Sequence, residues 1–134
     1  MLKKMFYPAI FTPEDDGGFS VSFPDIEGCF TQGETIEEAY EMAFDALGLA
    51  LSFLEDEKRV IPLPSAPNKI SLNENEFVVI IEFDMLEYQK KHNSKAVKKT
   101  LTIPQWLNEE ATALGVNFSQ VLQEALLAKI ELNL

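Results

Sequence analysis

Twenty-two carboxylates face eleven basic side chains in this sequence, and the chemistry open to the chain depends on where those carboxylates fall. Carboxylates cleave phosphodiesters when several converge on two metal ions about 3.5 to 4 Å apart. Here Asp15 and Asp16 sit in a turn-rich stretch, Asp25 and Glu27 flank a second turn, and Glu37, Glu41 and Asp45 recur on the polar side of a helical repeat. Such positions suit solvated surface better than convergence, so no catalytic residue and no metal site is assigned. Cys29 and His92 are the single cysteine and the single histidine. One of each excludes intrachain disulfides, cysteine-based zinc sites, histidine-based triads and His-rich metal sites. Cys29, beside an aromatic and far in sequence from His92, reads as a small buried residue, and His92, among lysines, as an exposed one. No cofactor is called for.

The second chemistry is electrostatic. Residues 1–87 hold 18 acids against 5 bases, whereas residues 88–134 hold 4 against 6, with five lysines and no acid between 88 and 108. The first stretch repels nucleic acid and attracts a basic protein; the second suits phosphate. No apolar run reaches the ~18 residues of a membrane span, and none near the start has signal-peptide length. The expectation is a cytoplasmic protein with no membrane partner.

The elements that must position these groups follow from periodicity. MFYPAIF (5–11) is rich in strand-formers, and Phe19, Val21 and Phe23 alternate with serines; Asp16-Gly17-Gly18 between them supplies the positive φ angles of a hairpin turn. Pro24 ends the second strand, and Cys29 to Gln32 make a short third strand before Gly33. Thr35 with Glu38 three residues on predicts a capping box, and Ile36, Ala39, Tyr40, Ala43, Leu47, Ala50, Leu51 and Leu54 form a helical apolar stripe. Pro62, Pro64 and Pro67 turn residues 57–75 into a loop or extended crossover. FVVIIEF (77–83) then reads as a strand buried on both faces, central in the sheet. The first domain, residues 1–87, is thus an α+β unit in the order β-β-β-α-β.

Residues 88–96 are polar and lysine-rich, a linker with room for a helical turn, and residues 97–134 form a second domain of strand, helix and helix. VKKTLTI (97–103) alternates into Pro104, a helix follows to Gly115, and Asn117 or Ser119 caps the next. A single strand leaves its backbone groups unpaired, and so small a unit rarely folds alone. Two copies pairing their strands would share a core of Leu101, Ile103, Trp106 and Leu122 and turn Lys98, Thr100 and Thr102 outward, with Lys99 beside them, toward a DNA major groove. The first turn of the last helix, with Asn117 and Ser119, would offer N–H groups to a flanking phosphate.

An ordered set of motifs carries a family resemblance: YPAIF, DGGF, FPDIEGC, GETIEEA and IPLPS across residues 6–65, then KKTLTIPQWLNEEATALGVNFSQVLQEAL. The first part resembles HicB antitoxins, and the tail is similar to the ribbon-helix-helix domain found on many of them. The resemblance implies a degraded RNase H-like N-terminal fold that occludes a small basic HicA-type mRNA-cleaving toxin, and a dimer or higher oligomer that binds operator DNA to repress its own operon. Asp15, Asp16, Asp25, Glu27, Glu37, Glu41 and Asp45 are then the candidates to meet the toxin, and Lys98, Lys99, Thr100, Thr102, Asn117 and Ser119 those to meet DNA. Two other readings stand beside it: a ribbon-helix-helix regulator whose N-terminal domain senses a small ligand, which needs an apolar pocket, and a weak nuclease, which needs convergent carboxylates.

Overall fold

The computed structural model describes residues 4–133, which fall into two compact units, one running to Ser94 and the other starting at Lys95. The first is built on a four-stranded antiparallel sheet in which β1 (Met5–Pro13), β2 (Phe19–Ser22), β3 (Phe30–Gly33) and β4 (Phe77–Phe83) stand in the order β3-β2-β1-β4. The β1–β2 turn is the predicted one, with Gly17 and Gly18 at φ 88° and 80°. Tyr7, Ala9 and Phe11 of β1 pair with Ile81, Val79 and Phe77 of β4, so alternate residues of both strands share one apolar face.

Across that face lies α1 (Ile36–Asp56), for which the sequence supplies start and stripe alike. Thr35 Oγ1 accepts from the Glu38 N–H at 3.1 Å, and the Glu38 carboxylate reaches back to the N–H of Glu34, also at 3.1 Å. The box therefore closes one residue further out than the usual reciprocal pair; such a cap stabilises a helix by about 1 kcal/mol. Ala39, Ala43, Leu47 and Leu51 are fully buried against the sheet, and each leucine contributes roughly 1.5–3 kcal/mol by leaving water.

Two features of this first unit depart from the sequence reading. The apolar run of β4 predicts a central strand, but β4 is an edge strand paired only with β1, which takes the central place. Ile81 and Phe83 are buried, while Ile80 and Glu82, which alternate with them, are exposed. Periodicity reports which faces of a strand are covered and is silent about its lateral neighbours. Part of the edge is occupied from within, since the Tyr40 hydroxyl accepts from the Glu82 N–H at 3.1 Å. The other departure is α2 (Met85–His92), a helix where the sequence suggests domain end and linker. Asp84 caps it, accepting from the N–H groups of Leu86 and Glu87 at 2.9 and 3.4 Å, and Tyr88 is buried against Gly48 of α1.

Residues 57–75 form the expected crossover, with one 3₁₀ turn at Pro67–Lys69. Two contacts hold it: the buried Tyr7 hydroxyl donates to the Pro62 carbonyl at 2.6 Å, and the Asp25 carboxylate accepts from both the N–H (2.9 Å) and the hydroxyl of Ser65.

The second unit holds α3 (Gln105–Ala113) and α4 (Phe118–Leu132). Gly115, at φ 72°, ends α3 in a Schellman turn: its N–H bonds to Thr112 O at 3.0 Å and that of Val116 to Ala111 O at 3.1 Å. Asn117 caps α4 through its side-chain oxygen, which accepts from the Gln120 N–H at 3.0 Å. Residues 97–103, expected as a strand, carry neither strand nor helix in the single chain. A ladder needs a second strand, and none lies among the described residues of this unit.

Candidate functional site

The acidic candidates separate into two groups once their partners are known. Asp25 is committed to Ser65 and pins the crossover. Asp45 is committed to α2, bonding Lys91 Nζ at 2.9 and 3.0 Å and His92 Nε2 at 3.0 Å. Asp15, Asp16, Glu27, Glu37 and Glu41 are exposed and remain the carboxylates of the original seven best placed to meet a second molecule. Turn and helix start come together at one place: Asp16, Glu14 and Glu34 line a small concavity of about 320 Å³ with Gln32, and Glu14 accepts from Ser20 Oγ at 2.5 Å.

Burial acts to raise the Asp45 pKa, but the hydrogen bonds from His92 and Lys91 outweigh it and hold the carboxyl below its ordinary value. A carboxylate depressed in the folded state contributes stability that is fully present above its unfolded pKa of about 3.9 and is lost as pH falls through the folded value. Asp45→Asn is therefore expected to lower stability at pH 7 by up to about 1 kcal/mol and to make little difference in strong acid. Urea unfolding of both proteins at neutral pH and near pH 2.5 checks this, and an equal gap at both would remove the carboxylate from the account.

Cys29 lies buried in the Phe23–Cys29 turn, where its N–H bonds to Ile26 O at 3.3 Å and its carbonyl accepts from Phe23 N–H at 3.2 Å. Burial pushes its thiol up to about 11, so at neutral pH it is a protonated packing group and not a nucleophile. Among the described residues, no three of the His, Cys, Asp and Glu side chains group as metal ligands, and no helix is long and apolar enough to cross a membrane. A cleft of about 580 Å³ beside Ile10, Pro24, Asp25, Ser65 and Lys69 is open at the surface, unlike the enclosed apolar pocket that a ligand sensor would need.

On the second unit Lys98, Lys99, Thr100 and Thr102 are all exposed. Asn117 spends its side-chain oxygen on the cap, and Ser119 Oγ accepts from Gln123 Nε2 at 3.2 Å. The residues expected in a shared core are uncovered in the single chain: Leu101 is 56 % exposed, Ile103 47 % and Trp106 66 %, with Leu122 half-buried. No residue from Lys95 to Asn133 is buried. Sequence reasoning allowed a helical turn here but not the two-turn α2, although Asp84 followed by Glu87 repeats the cap spacing that marks α1, with Met85 and Tyr88 three apart as the anchoring face.

The family described as the HicB-like antitoxin of bacterial toxin–antitoxin systems matches residues 7–127. Antitoxin HicB 1 of Photorhabdus laumondii is 50 % identical over 64 residues, which are 48 % of this chain and 41 % of that protein, so the match spans under half the length of that relative. Among solved structures, a chain of a toxin–antitoxin complex from Streptococcus pneumoniae is 33 % identical with a TM-score of 0.60, covering 94 % of this chain and 99 % of that one. The crystal structure of antitoxin HicB3 is 30 % identical with a TM-score of 0.52, covering 94 % and 98 %. The N-terminal β-β-β-α-β arrangement is the fold these likenesses support.

Proposed function

Since the chain belongs to the HicB-like antitoxin family, we propose that it neutralises a small basic HicA-type toxin with its N-terminal unit and represses transcription with its C-terminal unit. The observation that carries this is the extent of the family match, residues 7–127, which takes in both units. Charge supports the division of labour: the excess of 13 acids in residues 1–87 suits a basic protein, and the acid-free lysine stretch 88–108 suits DNA phosphate. In this reading the toxin-binding domain of residues 1–87 extends through α2, a shortened linker follows, and residues 97–134 are a ribbon-helix-helix. Two copies pair residues 97–103 as an antiparallel ribbon over a common core of Leu101, Ile103, Trp106 and Leu122. The ribbon presents Lys98, Thr100 and Thr102 to the major groove and the α4 N-terminus to phosphate. The uncovered apolar side chains of the C-terminal unit support this, because a unit without a buried residue needs a partner to exclude water.

Growth and reporter assays test it together. Induction of the small gene adjacent to this one is expected to arrest growth, the full chain and residues 1–94 to restore it, and the full chain alone to repress a reporter behind the operon's own promoter. A harmless neighbour, or rescue by neither form, would remove the toxin from the proposal; repression by residues 1–94 would move DNA binding off the C-terminal unit.

A further inference from the structure

The flank of α1 beside its buried stripe is not uniformly polar. Met42, Leu49 and Phe53 are 42 %, 68 % and 54 % exposed. With Ala46 between them they follow steps of four, three and four residues, which places all four within an arc of ~60° on the helix surface. Met42, Leu49 and Phe53 lie outside the buried stripe of Ala39, Ala43, Leu47 and Leu51, and Ala46 joins them to the core it packs against. Glu38, Glu41, Asp45 and Asp56 flank it on one side, and Asp45 is the only one of these bound to α2. The chain itself shows what settles on such a surface: the Arg59 guanidinium lies 5.9 Å from the centroid of the Phe53 ring.

An apolar centre with a polar rim is the anatomy of a protein interface, and this rim is mostly acidic, its cations being Arg59 over Phe53 and the Lys91 and His92 side chains bound to Asp45. The sign selects the occupant. A second copy of α1 would set carboxylate rim against carboxylate rim, and nucleic acid or an anionic membrane would be repelled. A basic protein with an apolar patch ringed by lysine or arginine meets both parts at once. We infer that the Met42–Leu49–Phe53 ridge is where the basic toxin docks, with Glu41 and Asp56 meeting its cationic rim. This rests on the antitoxin reading above and adds the surface by which it works.

The test titrates the full-length chain with its cognate HicA-type toxin. Leu49→Lys changes an exposed side chain, so the fold is expected to survive, which circular dichroism checks; it places a cation where the partner is basic and removes the ridge's most exposed contact. Affinity is expected to fall by about 30-fold or more, Leu49→Met to retain wild-type affinity, and Glu41→Lys to weaken binding most at low salt. Wild-type toxin affinity in Leu49→Lys would overturn the docking site while leaving the antitoxin reading intact. The same holds if Leu49→Lys alters only the mass of the free protein in light scattering, because a second copy would then occupy the ridge. A wild-type chain that does not bind the toxin overturns the antitoxin reading itself, a result separable from the others because no variant is needed to see it.

Discussion

Replacing Ile103 with lysine is expected to abolish operator binding and to leave toxin binding untouched. Ile103 is half-exposed in the single chain, so the substitution has little to disturb within one copy. In the proposed ribbon it faces the shared core, and the loss is felt only on pairing. Burying an isoleucine is worth roughly 1.5–3 kcal/mol, a lysine in its place adds a charge that must leave water, and every dimer contains the residue twice. A penalty of at least about 4 kcal/mol follows, which weakens dimerisation by about 10³-fold. DNA binding by a ribbon needs both strands, so affinity for the operator falls with it. Analytical ultracentrifugation and a gel-shift titration, run beside a toxin-binding titration, read the three quantities. A dimer of unchanged affinity would mean that residues 97–103 do not form the ribbon; a monomer that still bound the operator tightly would mean that DNA contacts lie elsewhere. Trp106→Ala is the companion change: it removes a large side chain from the same proposed core without adding charge, and a smaller effect in the same direction is expected.

How much of this was legible in the sequence depends on which kind of signal each element carries. The local signals of the β1–β2 hairpin and of α1 were read correctly, whereas the Asp84 cap of α2 was not. Gly17 and Gly18 specified the hairpin because only a residue without a β-carbon takes positive φ there cheaply, and Thr35 and Glu38 fixed the start of α1 because side-chain groups had to satisfy its first N–H groups. Lateral position was not legible. FVVIIEF carries apolar residues on both strand faces, yet which strand lies beside it is decided by the path of the crossover, pinned by Pro62 on Tyr7 and Ser65 on Asp25 across 55 and 40 residues of sequence. The acidic candidates show the same limit. Asp25 and Asp45 read as surface charges, and their commitments to Ser65 and to Lys91 and His92 arise from contacts that no local pattern announces. The ridge on α1 was present in the spacing 42, 46, 49, 53, but it is overshadowed by the longer stripe that faces the sheet; only exposure separates the two.

The largest expected effect on stability belongs to a residue with no side chain. Gly33 ends β3 directly beneath the first turns of α1, and a β-carbon built there would lie 2.4 Å from the Ala39 nitrogen, 2.6 Å from its Cα and 2.9 Å from the Glu38 carbonyl carbon. All three are atoms of the helix backbone, so no rotamer change relieves the clash and the helix itself must lift. Lifting it loosens Ala39 and Ala43, whose small side chains let the helix sit close to the sheet, and strains the Thr35–Glu38 cap that starts it. Gly33→Ala is expected to destabilise the N-terminal unit by about 3 kcal/mol, near the upper end for overpacking, and to lower its melting temperature by about 15 °C. The C-terminal unit holds none of these contacts, so operator binding by the variant should persist at temperatures where toxin neutralisation has failed. Growth rescue lost on warming while reporter repression is kept would therefore tie neutralisation to the seating of α1 on the sheet, and with it to the ridge and carboxylates that the helix carries. A melting temperature within two degrees or so of wild type would show instead that the helix start yields easily, and that the close approach at Gly33 is not what fixes the position of α1.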